Sequence, residues 1–461
     1  MAIEKKPRNK MPEQDAKARA RNFAEVALGY TAESAKAEAS RCMHCKNAPC
    51  MQGCPVSVNI PDFLAATAAG DFLKAGEIIG KTSSLPAICG RVCPQENQCE
   101  KMCLRARVDG AVAIGNTERF IGDYMLQNGH AAPKAKPAGK RVAVIGSGPA
   151  GLTCAAELSN HGVDVTVFEA FHKAGGVLVY GIPEFRLPKA LVQAEIDKLC
   201  AGGVTIRTNT VAGKTVPMEE ILQSYDAVFI GSGAGLPMFM NIEGENLNGV
   251  YSANEYLTRV NLMKAYLPES ATPVQKGKHV AVIGAGNVAM DAARTALRMG
   301  AESVKIVYRR GREEMPARAE EIHHAEQEGI EFCLLTNPIS FAGENGWVKS
   351  MRCVKMELGA PDASGRRSPQ PIAGSEYDIP TDMVIVALGT RPNPLIKNSF
   401  PALPTSAKGT IVVDEQTMQT EIEGLYAGGD AVTGAATVIL AMGAGRKASK
   451  AILEKLGIED V

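Results

Sequence analysis

The sequence predicts an α/β protein in which two parallel-sheet domains follow a helical, cysteine-rich N-terminal domain. A β-branched strand runs into a glycine turn and an apolar helix at 141–151 and again at 279–289. Eight of the twelve cysteines lie between Cys42 and Cys103. Repetition of strand, glycine turn, helix and strand is typical of Rossmann-like nucleotide-binding domains. The chain, with 461 residues, has room for several domains of about 150 residues each.

The composition is that of an ordinary globular protein. Hydrophobic residues make up 45% of the chain and charged residues 22%, and 50 basic residues balance 50 acidic ones. Because the net charge is zero, we expect neither nucleic acid nor an anionic membrane as the main partner. No apolar run approaches the roughly 18 residues of a membrane span, and the charged N-terminus lacks the apolar core of a signal peptide. We therefore expect a cytoplasmic protein without a membrane span.

The domain boundaries follow changes in composition. Residues 129–139 are a Pro/Ala/Lys segment without apolar periodicity, which is typical of a linker. The apolar run 383–388 and the later sequence Gly428-Gly429-Asp430 indicate that the chain returns to the first nucleotide-binding domain, so that the second is an insertion. The predicted domains are a helical domain at 1–128, a linker at 129–139, a first nucleotide-binding domain at 140–255 and 381–461, and a second at 256–380.

The first glycine motif follows the strand 141–145 and consists of Gly146, Gly148 and Gly151. Such glycines permit a tight turn, close approach of a pyrophosphate and packing of the helix on the strand. Glu169 ends the next strand, where an acid can accept hydrogen bonds from a ribose. Asp430 ends a late strand, where it can bind the ribityl or phosphate side of a flavin, and the following helix can stabilise a reduced flavin ring. Two separated segments favour FAD here, with Gly176 as a further binding position; an unliganded turn and a helix-capping Asp430 are the alternatives.

The second glycine motif consists of Gly284, Gly286 and Ala289. Its second strand ends in Arg309-Arg310 instead of an acid. Paired guanidiniums can bind the additional phosphate of NADP, which a carboxylate would repel. The sequence therefore predicts an NADPH domain inserted in the FAD domain, and a solvated basic turn is the alternative interpretation.

Clustered cysteines in a cytoplasmic chain indicate metal binding, because the cytosol keeps thiols reduced. The two groups are Cys42-x2-Cys45-x4-Cys50-x3-Cys54-Pro55 and Cys89-x3-Cys93-x5-Cys99-x3-Cys103. The first is close to a bacterial ferredoxin run, in which the cysteine before proline reaches a second cluster. Two four-iron clusters need eight ligands, and eight cysteines are present. Zinc is the rival interpretation, but it commonly uses paired C-x-x-C units, of which there is one.

With these residues in place, the chain resembles the small (beta) subunit family of NADPH-dependent glutamate synthase over essentially its whole length. It is also similar to the large subunit of NADH-dependent ferredoxin:NADP oxidoreductase, a bifurcating flavoenzyme. The segments that carry the resemblance are RCMHCKNAPCMQGCP, ICGRVCPQENQCEKMC, GNTERFIGDY, VIGSGPAGL and YAGGDAV. The segment 180–188 looks more like the bifurcating or single-type enzymes than the typical glutamate synthase subunit.

The resemblance changes the expected cluster ligands. In relatives, including the N-terminal part of dihydropyrimidine dehydrogenase, one cluster has a non-cysteine ligand from the segment that corresponds to GNTERFIG. Carried over, this implies one 4Fe–4S cluster bound by Cys42, Cys45, Cys50 and Cys103. It implies a second cluster bound by Cys54, Cys93, Cys99 and Glu118. Cys89 would then be a bystander; in the alternative, Cys89 is the eighth ligand and Glu118 an ordinary surface residue.

These parts predict an NADPH-dependent flavin and iron–sulfur oxidoreductase. Nicotinamide cofactors give up electrons in pairs, four-iron clusters accept them singly and a flavin does both, so we expect the order NADPH, FAD, clusters. No histidine or carboxylate pair has a catalytic pattern, so we predict no catalytic residue. Residue 2 is alanine, not a cysteine nucleophile, and too few residues follow the second nucleotide fold for a substrate-binding barrel. We therefore expect the electron acceptor to be a separate subunit.

Three functions are compatible with these features. The main prediction is the electron-input subunit of glutamate synthase, with the large subunit as its partner. The second is the bifurcating oxidoreductase subunit, whose partners would be a smaller flavin and two-iron subunit and ferredoxin. The third, a redox-sensing interaction module without turnover, is disfavoured by two complete nucleotide folds and two clusters.

Overall fold

The N-terminal part of the chain is helical. The computed structural model describes residues 5–129, 135–361 and 367–459, so that 130–134 of the predicted linker lie outside the described residues. The helices are α1 (Ala16–Arg19), α2 (Ala32–Ala39), α3 (Pro49–Gln52), α4 (Ile60–Ala69), α5 (Phe72–Gly80), α6 (Pro86–Val92) and α7 (Ile114–Asn128). Short 3₁₀ turns lie at Gln95–Asn97 and Leu104–Arg107.

Polar caps and an apolar core explain where these helices begin and how they pack. Thr31 and Asp71 accept hydrogen bonds from backbone amides in the first turns of α2 and α5, as capping residues do. Phe63, Ile79 and Ile121 are fully buried between the helices. The same apolar cluster continues into the next domain through residues such as Leu152, Ile439 and Met442. The helical domain therefore shares a core with the domain that follows it.

The middle of the chain alternates strands and helices. Its first elements are β1 (Arg141–Ile145), α8 (Pro149–Asn160), β2 (Asp164–Phe168), α9 (Val177–Tyr180), α10 (Lys189–Gly202), β3 (Thr205–Arg207), α11 (Met218–Ser224), β4 (Ala227–Ile230) and β5 (Leu236–Pro237). The next are β6 (Val250–Ser252), α12 (Ala253–Leu257), a π-helical turn (Thr258–Leu262), β7 (His279–Ile283), α13 (Asn287–Arg298), β8 (Ser303–Tyr308), a 3₁₀ turn (Arg312–Glu314), α14 (Ala319–Gln327) and β9 (Glu331–Leu334).

The last third begins with antiparallel strands and ends with a long helix. Its elements are β10 (Thr336–Glu344), β11 (Trp347–Pro361), β12 (Arg367–Pro371), β13 (Tyr377–Pro380), β14 (Met383–Val386), β15 (Thr390–Arg391), α15 (Leu395–Ser399), β16 (Leu425–Ala427), α16 (Asp430–Thr433) and α17 (Val438–Leu456). Strands β10 to β13 form an antiparallel sheet in the order β10-β11-β12, with β13 also paired to β11. No helix within the described ranges combines the length and the apolarity that crossing a bilayer requires.

Two parallel five-stranded sheets carry the nucleotide folds, as the sequence predicts. The first has the order β16-β4-β1-β2-β3, and the second has the order β6-β14-β7-β8-β9. Every pairing within these two sheets is parallel. The chain returns to the first sheet at β16, directly before the predicted flavin segment.

The second sheet includes two strands from outside the predicted insertion 256–380. The predicted boundaries at 255 and 381 place strands β6 and β14 in the first domain. In the structure, both strands pair in parallel within the second sheet. The reason is that a short run of buried apolar residues looks the same in either parallel sheet, since both of its faces are covered. Between the two sheets the chain crosses through β5 and β15, which form an antiparallel ribbon.

Buried arginines join the N-terminal segment to the second sheet's helices. The carboxylate of Glu328 accepts hydrogen bonds from Arg294, from Arg298 and from Arg19 of α1. The side chains of Glu328, Arg294 and Arg298 are fully buried. Arg186, from the first nucleotide domain, donates twice to Asp291 of α13 at 2.8 Å. Ion pairs therefore connect all three domains in the interior.

Candidate functional site

The first glycine motif forms a tight turn between β1 and α8. Gly146 has φ +96°, and a Cβ there would lie 2.6 Å from the carbonyl oxygen of Gly231. A Cβ on Gly151 would lie 1.9 Å from the Gly146 carbonyl oxygen, so the helix could not approach the strand with a side chain at that position. A Cβ on Gly148 would meet nothing within 4 Å. The open space at Gly148, at the N-terminus of α8, is what the approach of a pyrophosphate requires.

Glu169 follows β2 and holds this turn in place. Its buried carboxylate accepts hydrogen bonds from the backbone N–H of Ser147 (3.0 Å) and of Phe171 (2.8 Å). Gly176 packs against the same turn, because a Cβ there would lie 2.8 Å from Cα of Gly148. The predicted ribose acid and Gly176 therefore both lie at the glycine turn. Ser147, whose backbone N–H donates to Glu169, is a further residue of this turn. The glycine pattern alone does not predict its role.

Asp430 reaches the same edge of the first sheet from the other end of the chain. It begins α16 directly after β16, and its Oδ1 accepts from the Ala436 N–H at 3.2 Å. Burial raises the pKa of Asp430 to about 6. Burial, together with the nearby charges of Asp430 and Glu169, raises the pKa of Tyr180 to about 12. Tyr180 is thus a further member of this site, and no role was predicted for it.

The second glycine motif repeats the geometry of the first. Gly284 has φ +126°, and a Cβ there would lie 2.4 Å from the Ala387 carbonyl oxygen. A Cβ on Gly286 would meet only Pro316 Cγ, at 3.9 Å. Ala289 is completely buried in α13. In both turns the first glycine has a positive φ and no space for a side chain, whereas the second glycine has open space beside it. This arrangement fits a dinucleotide at each turn.

Arg309 and Arg310 directly follow β8 but have different surroundings. Arg309 is exposed. Arg310 is buried, and its Nε donates to the backbone carbonyl of Arg367 at 3.0 Å. Arg309 is therefore the guanidinium that can reach a ligand phosphate without giving up an internal contact, whereas Arg310 also has a packing role.

Four cysteines line one pocket at the surface of the helical domain. We call Cys42, Cys45, Cys50 and Cys103 the outer cysteine group. All four are partly exposed and line the same pocket. Apolar side chains, including Ile60, Leu64 and Ile114, form its inner wall. Four thiols in an apolar cage are the donor set that a four-iron cluster uses.

A second set of donors lies deeper in the domain. We call Cys54, Cys93, Cys99 and Glu118 the inner cysteine group; Cys93 and Cys99 are buried. Glu118 lies close enough to the three thiols for its charge to raise the pKa of each of them. In the described part of the chain, the Glu118 carboxylate has no hydrogen-bond or ion-pair partner, and burial raises its pKa to about 8. Three thiols facing an unpartnered carboxylate fit a cluster with one oxygen ligand.

Cys89 lies beside the inner group and contacts both that group and α17. Its fully buried thiol lies 3.4 Å from the thioether sulfur of Met442 in α17, and Ser83 Oγ lies 4.0 Å from its sulfur. It also contacts Cys93, four residues further along the chain. Cys89 therefore connects the inner group to a helix of the first nucleotide domain. None of the twelve cysteines, all of which fall in described ranges, forms a disulfide.

Comparisons with known families agree with this arrangement. Residues 19–130 match the family described as "Dihydroprymidine dehydrogenase domain II, 4Fe-4S cluster". Residues 140–452 match the family described as "Pyridine nucleotide-disulphide oxidoreductase". The two matches cover the helical domain and both nucleotide-binding domains.

Solved structures share the nucleotide-binding part of the fold. FprA from Mycobacterium tuberculosis, solved in complex with NADPH, has a TM-score of 0.59 and 21% identity, covering 70% of this chain and 85% of that one. Thioredoxin reductase from T. acidophilum has a TM-score of 0.50 and 20% identity, covering 68% of this chain and 99% of that one. At such identities the likeness shows the fold alone.

Full-length relatives are much closer in sequence. The glutamate synthase (NADPH) small chain of Azospirillum brasilense is 39% identical over 94% of this chain and 92% of its own length. That of Escherichia coli is 37% identical over 97% of both chains. The predicted fold class, the oxidoreductase activity and the FAD, NADP and 4Fe–4S cofactors are confirmed. The chain belongs to the family of glutamate synthase (NADPH) small chains.

Proposed function

We propose that this chain takes electrons from NADPH at FAD and delivers them singly, through two four-iron clusters, to the large subunit of a glutamate synthase. The names of the full-length relatives support the electron donor and the partner. The two donor sets of the helical domain support two clusters. Twelve free cysteines support a cytoplasmic location, because a reducing compartment keeps thiols available for metal.

The contacts of α17 with Cys89 and Pro55, two residues beside the inner cysteine group, are the observation that carries this proposal. This helix begins at Val438, shortly after Asp430 of the flavin site. Its Met442 touches Cys89, and a Cβ on Gly443 would lie 3.1 Å from the carbonyl oxygen of Pro55, the residue after Cys54. One helix therefore runs from near Asp430 to residues that adjoin the inner group, Cys89 by its contact with Cys93 and Pro55 by sequence.

The two cysteine groups continue this route to the surface. Cys50 of the outer group and Cys54 of the inner group are separated by a single helical turn, since α3 spans Pro49–Gln52. A bound flavin converts the paired electrons of a nicotinamide into single electrons, which is what such clusters accept. The chain's own contribution is placement: the inner group faces the flavin domain, and the outer group faces solvent.

The site residues divide into three roles. The hydrogen bond between Ser147 and Glu169 stabilises the first glycine turn, and Asp430 belongs to the second chain segment of the flavin site. Arg309 is proposed to bind the additional phosphate of NADP, and Glu118 is proposed as the eighth cluster ligand. Glu118 is favoured for that role because, in the described part of the chain, its carboxylate has no hydrogen-bond or ion-pair partner and lies near the three thiols of the inner group.

Anaerobic purification with analysis of iron and flavin tests the proposal directly. We expect about eight irons and one FAD per chain, and steady reduction of dichlorophenolindophenol with NADPH as the preferred donor. Reduction of the dye at equal rates with NADH would contradict the assignment of the second domain. Protein that contains fewer than about four irons after oxygen-free reconstitution would contradict both cluster sites.

A further inference from the structure

We propose that the surface around the outer cysteine group docks a partner protein whose contact surface is acidic around an apolar centre. The inference rests on the proposed function, since it assumes that electrons leave the chain at the outer group. We call Lys46, Lys101, Met102, Leu104 and Arg107 the outer rim. All five are exposed and lie in the two segments that contain the cysteines of the outer group.

The centre of this surface is apolar. Met102 and Leu104 flank Cys103 on both sides in sequence, line the pocket of the outer group and are 41% and 39% exposed. Exposed large apolar side chains that surround a functional group are typical of interaction sites and not of a solvated helix face. Close packing of a partner here would also bring its acceptor near the outer group.

Three basic side chains beside this centre lack an ion-pair partner among the described residues. Lys46, Lys101 and Arg107 are exposed, and in the described part of the chain none of the three makes a salt bridge. Among the described residues that line the pocket, none is acidic. The unpaired positive charges are therefore free to attract an acidic partner.

Three acids of the helical domain near this surface, Glu38, Glu100 and Asp109, form ion pairs with arginines. Arg8 pairs with Glu100 at 2.7 Å, and Arg41 pairs with Glu38. Asp109 forms ion pairs with two arginines, Arg41 and Arg105. Asp62, the exposed acid next to the lining residue Pro61, accepts a hydrogen bond from Asn59 at 2.7 Å. Asp62 therefore remains one exposed negative charge beside the three unpaired positive charges of the outer rim, so the net charge of this surface is positive.

A cluster of like charges around an apolar centre mainly changes the rate at which a charged partner associates. Such fields raise association rates by about 10- to 1000-fold, and salt screens them over about 10 Å at 0.1 M ionic strength. The same rim repels a basic partner. We therefore expect the outer rim to select acidic electron acceptors at low ionic strength and to lose that preference at high salt.

Native and succinylated cytochrome c form a matched pair of probes, since succinylation changes lysine charge from positive to negative and leaves the haem in place. The holoprotein is mixed anaerobically with each probe, and NADPH-driven haem reduction is measured at 10 mM and 300 mM salt. The test variant is K46E/K101E/R107E. The control variant is K214E/K349E/K408E, whose exposed lysines lie outside the helical domain. Dye reduction and iron content are measured for every variant.

We expect wild-type protein to reduce the succinylated probe about tenfold faster than the native one at low salt, and equally fast at high salt. K46E/K101E/R107E should reverse the preference with unchanged iron content and dye reduction, and the control variant should behave as wild type. Equal rates for both probes at low salt, or an equal change in both variants, would overturn the docking proposal. Loss of dye reduction in wild-type protein would instead contradict the proposed function.

A second readout needs no turnover. A zero-length carbodiimide joins lysine amines to carboxylates that they contact, and mass spectrometry locates the joined residues. Oxidised succinylated cytochrome c should cross-link to Lys46 and Lys101, and not to Lys214, Lys349 or Lys408 of the same molecules. Cross-links confined to these three lysines, or spread evenly over all five, would place the acidic probe elsewhere and refute the proposal.

Discussion

Replacing Glu328 by glutamine should destabilise the protein strongly, although the two side chains have nearly the same shape. The buried carboxylate accepts from Arg19 Nε (3.1 Å), from Arg294 (3.0 and 2.7 Å) and from Arg298 (2.7 and 3.0 Å). Glutamine removes the negative charge. Its amide NH₂ group would also face guanidinium groups, which can donate hydrogen bonds but cannot accept them. Breaking a buried charge network in this way costs about 3–5 kcal/mol.

Scanning calorimetry at pH 7 measures this effect, with flavin and iron contents matched between samples. At about 2–4 °C per kcal/mol, the expected fall in Tm is roughly 6–20 °C. The matched control is Glu331→Gln, which breaks an exposed pair with Lys305 and should lower Tm by less than about 3 °C. A Glu328→Gln variant that melts within 2 °C of wild type would refute the claim that this network stabilises the interior.

The pH dependence gives a second check on Glu328. Burial alone would raise its pKa, but hydrogen bonds from Arg298 and Arg294 outweigh burial and hold the pKa at about 2. Because the pKa is lowered on folding, the stabilisation is fully present above the unfolded value of about 4.3 and is lost as the pH falls toward 2. The difference in Tm between wild type and Glu328→Gln should therefore narrow below about pH 4, and a constant difference would contradict this assignment.

Four further substitutions separate the roles of the cofactor sites. Arg309→Ala should raise KM for NADPH by roughly ten- to a hundredfold in dye assays and leave KM for NADH unchanged, because it removes a charge-assisted contact with the phosphate; equal effects on both would exclude this role. Glu118→Ala should alter the electron paramagnetic resonance signal of one cluster, whereas Cys89→Ser should keep the full iron content; the opposite pattern would make Cys89 the ligand. Gly148→Ala should weaken FAD binding without lowering the Tm of the apoprotein, since its Cβ meets no protein atom within 4 Å; a fall in that Tm would show a packing role instead.

Local patterns predicted the elements that have a strict stereochemical requirement. Both glycine turns follow a strand and open a helix as expected, because few other sequences permit that turn. The division of the cysteines into two groups came from the family resemblance and not from local spacing, and the structure brings the members of each group near one another. The ligand assignment itself remains a prediction.

Features that depend on tertiary packing were not predictable in this way. The apolar strand Met383–Val386 could have joined either parallel sheet, and only its neighbours decide that it pairs with β6 and β7. Arg309 and Arg310 are adjacent in sequence, yet the orientation of successive residues after β8 exposes one and buries the other. The contact of Cys89 with Met442 joins residues more than three hundred positions apart, and no local periodicity encodes it.

The paired strands β5 and β15 make the inserted domain exchangeable in principle. Leu236 lies opposite Arg391 and Pro237 lies opposite Thr390, so the outgoing and returning chains are neighbours at the point of crossing. In topological terms, everything between them is one very long loop of the flavin domain. Gene fusion or recombination at this ribbon could replace the whole nicotinamide-selecting module without moving the ends that receive it.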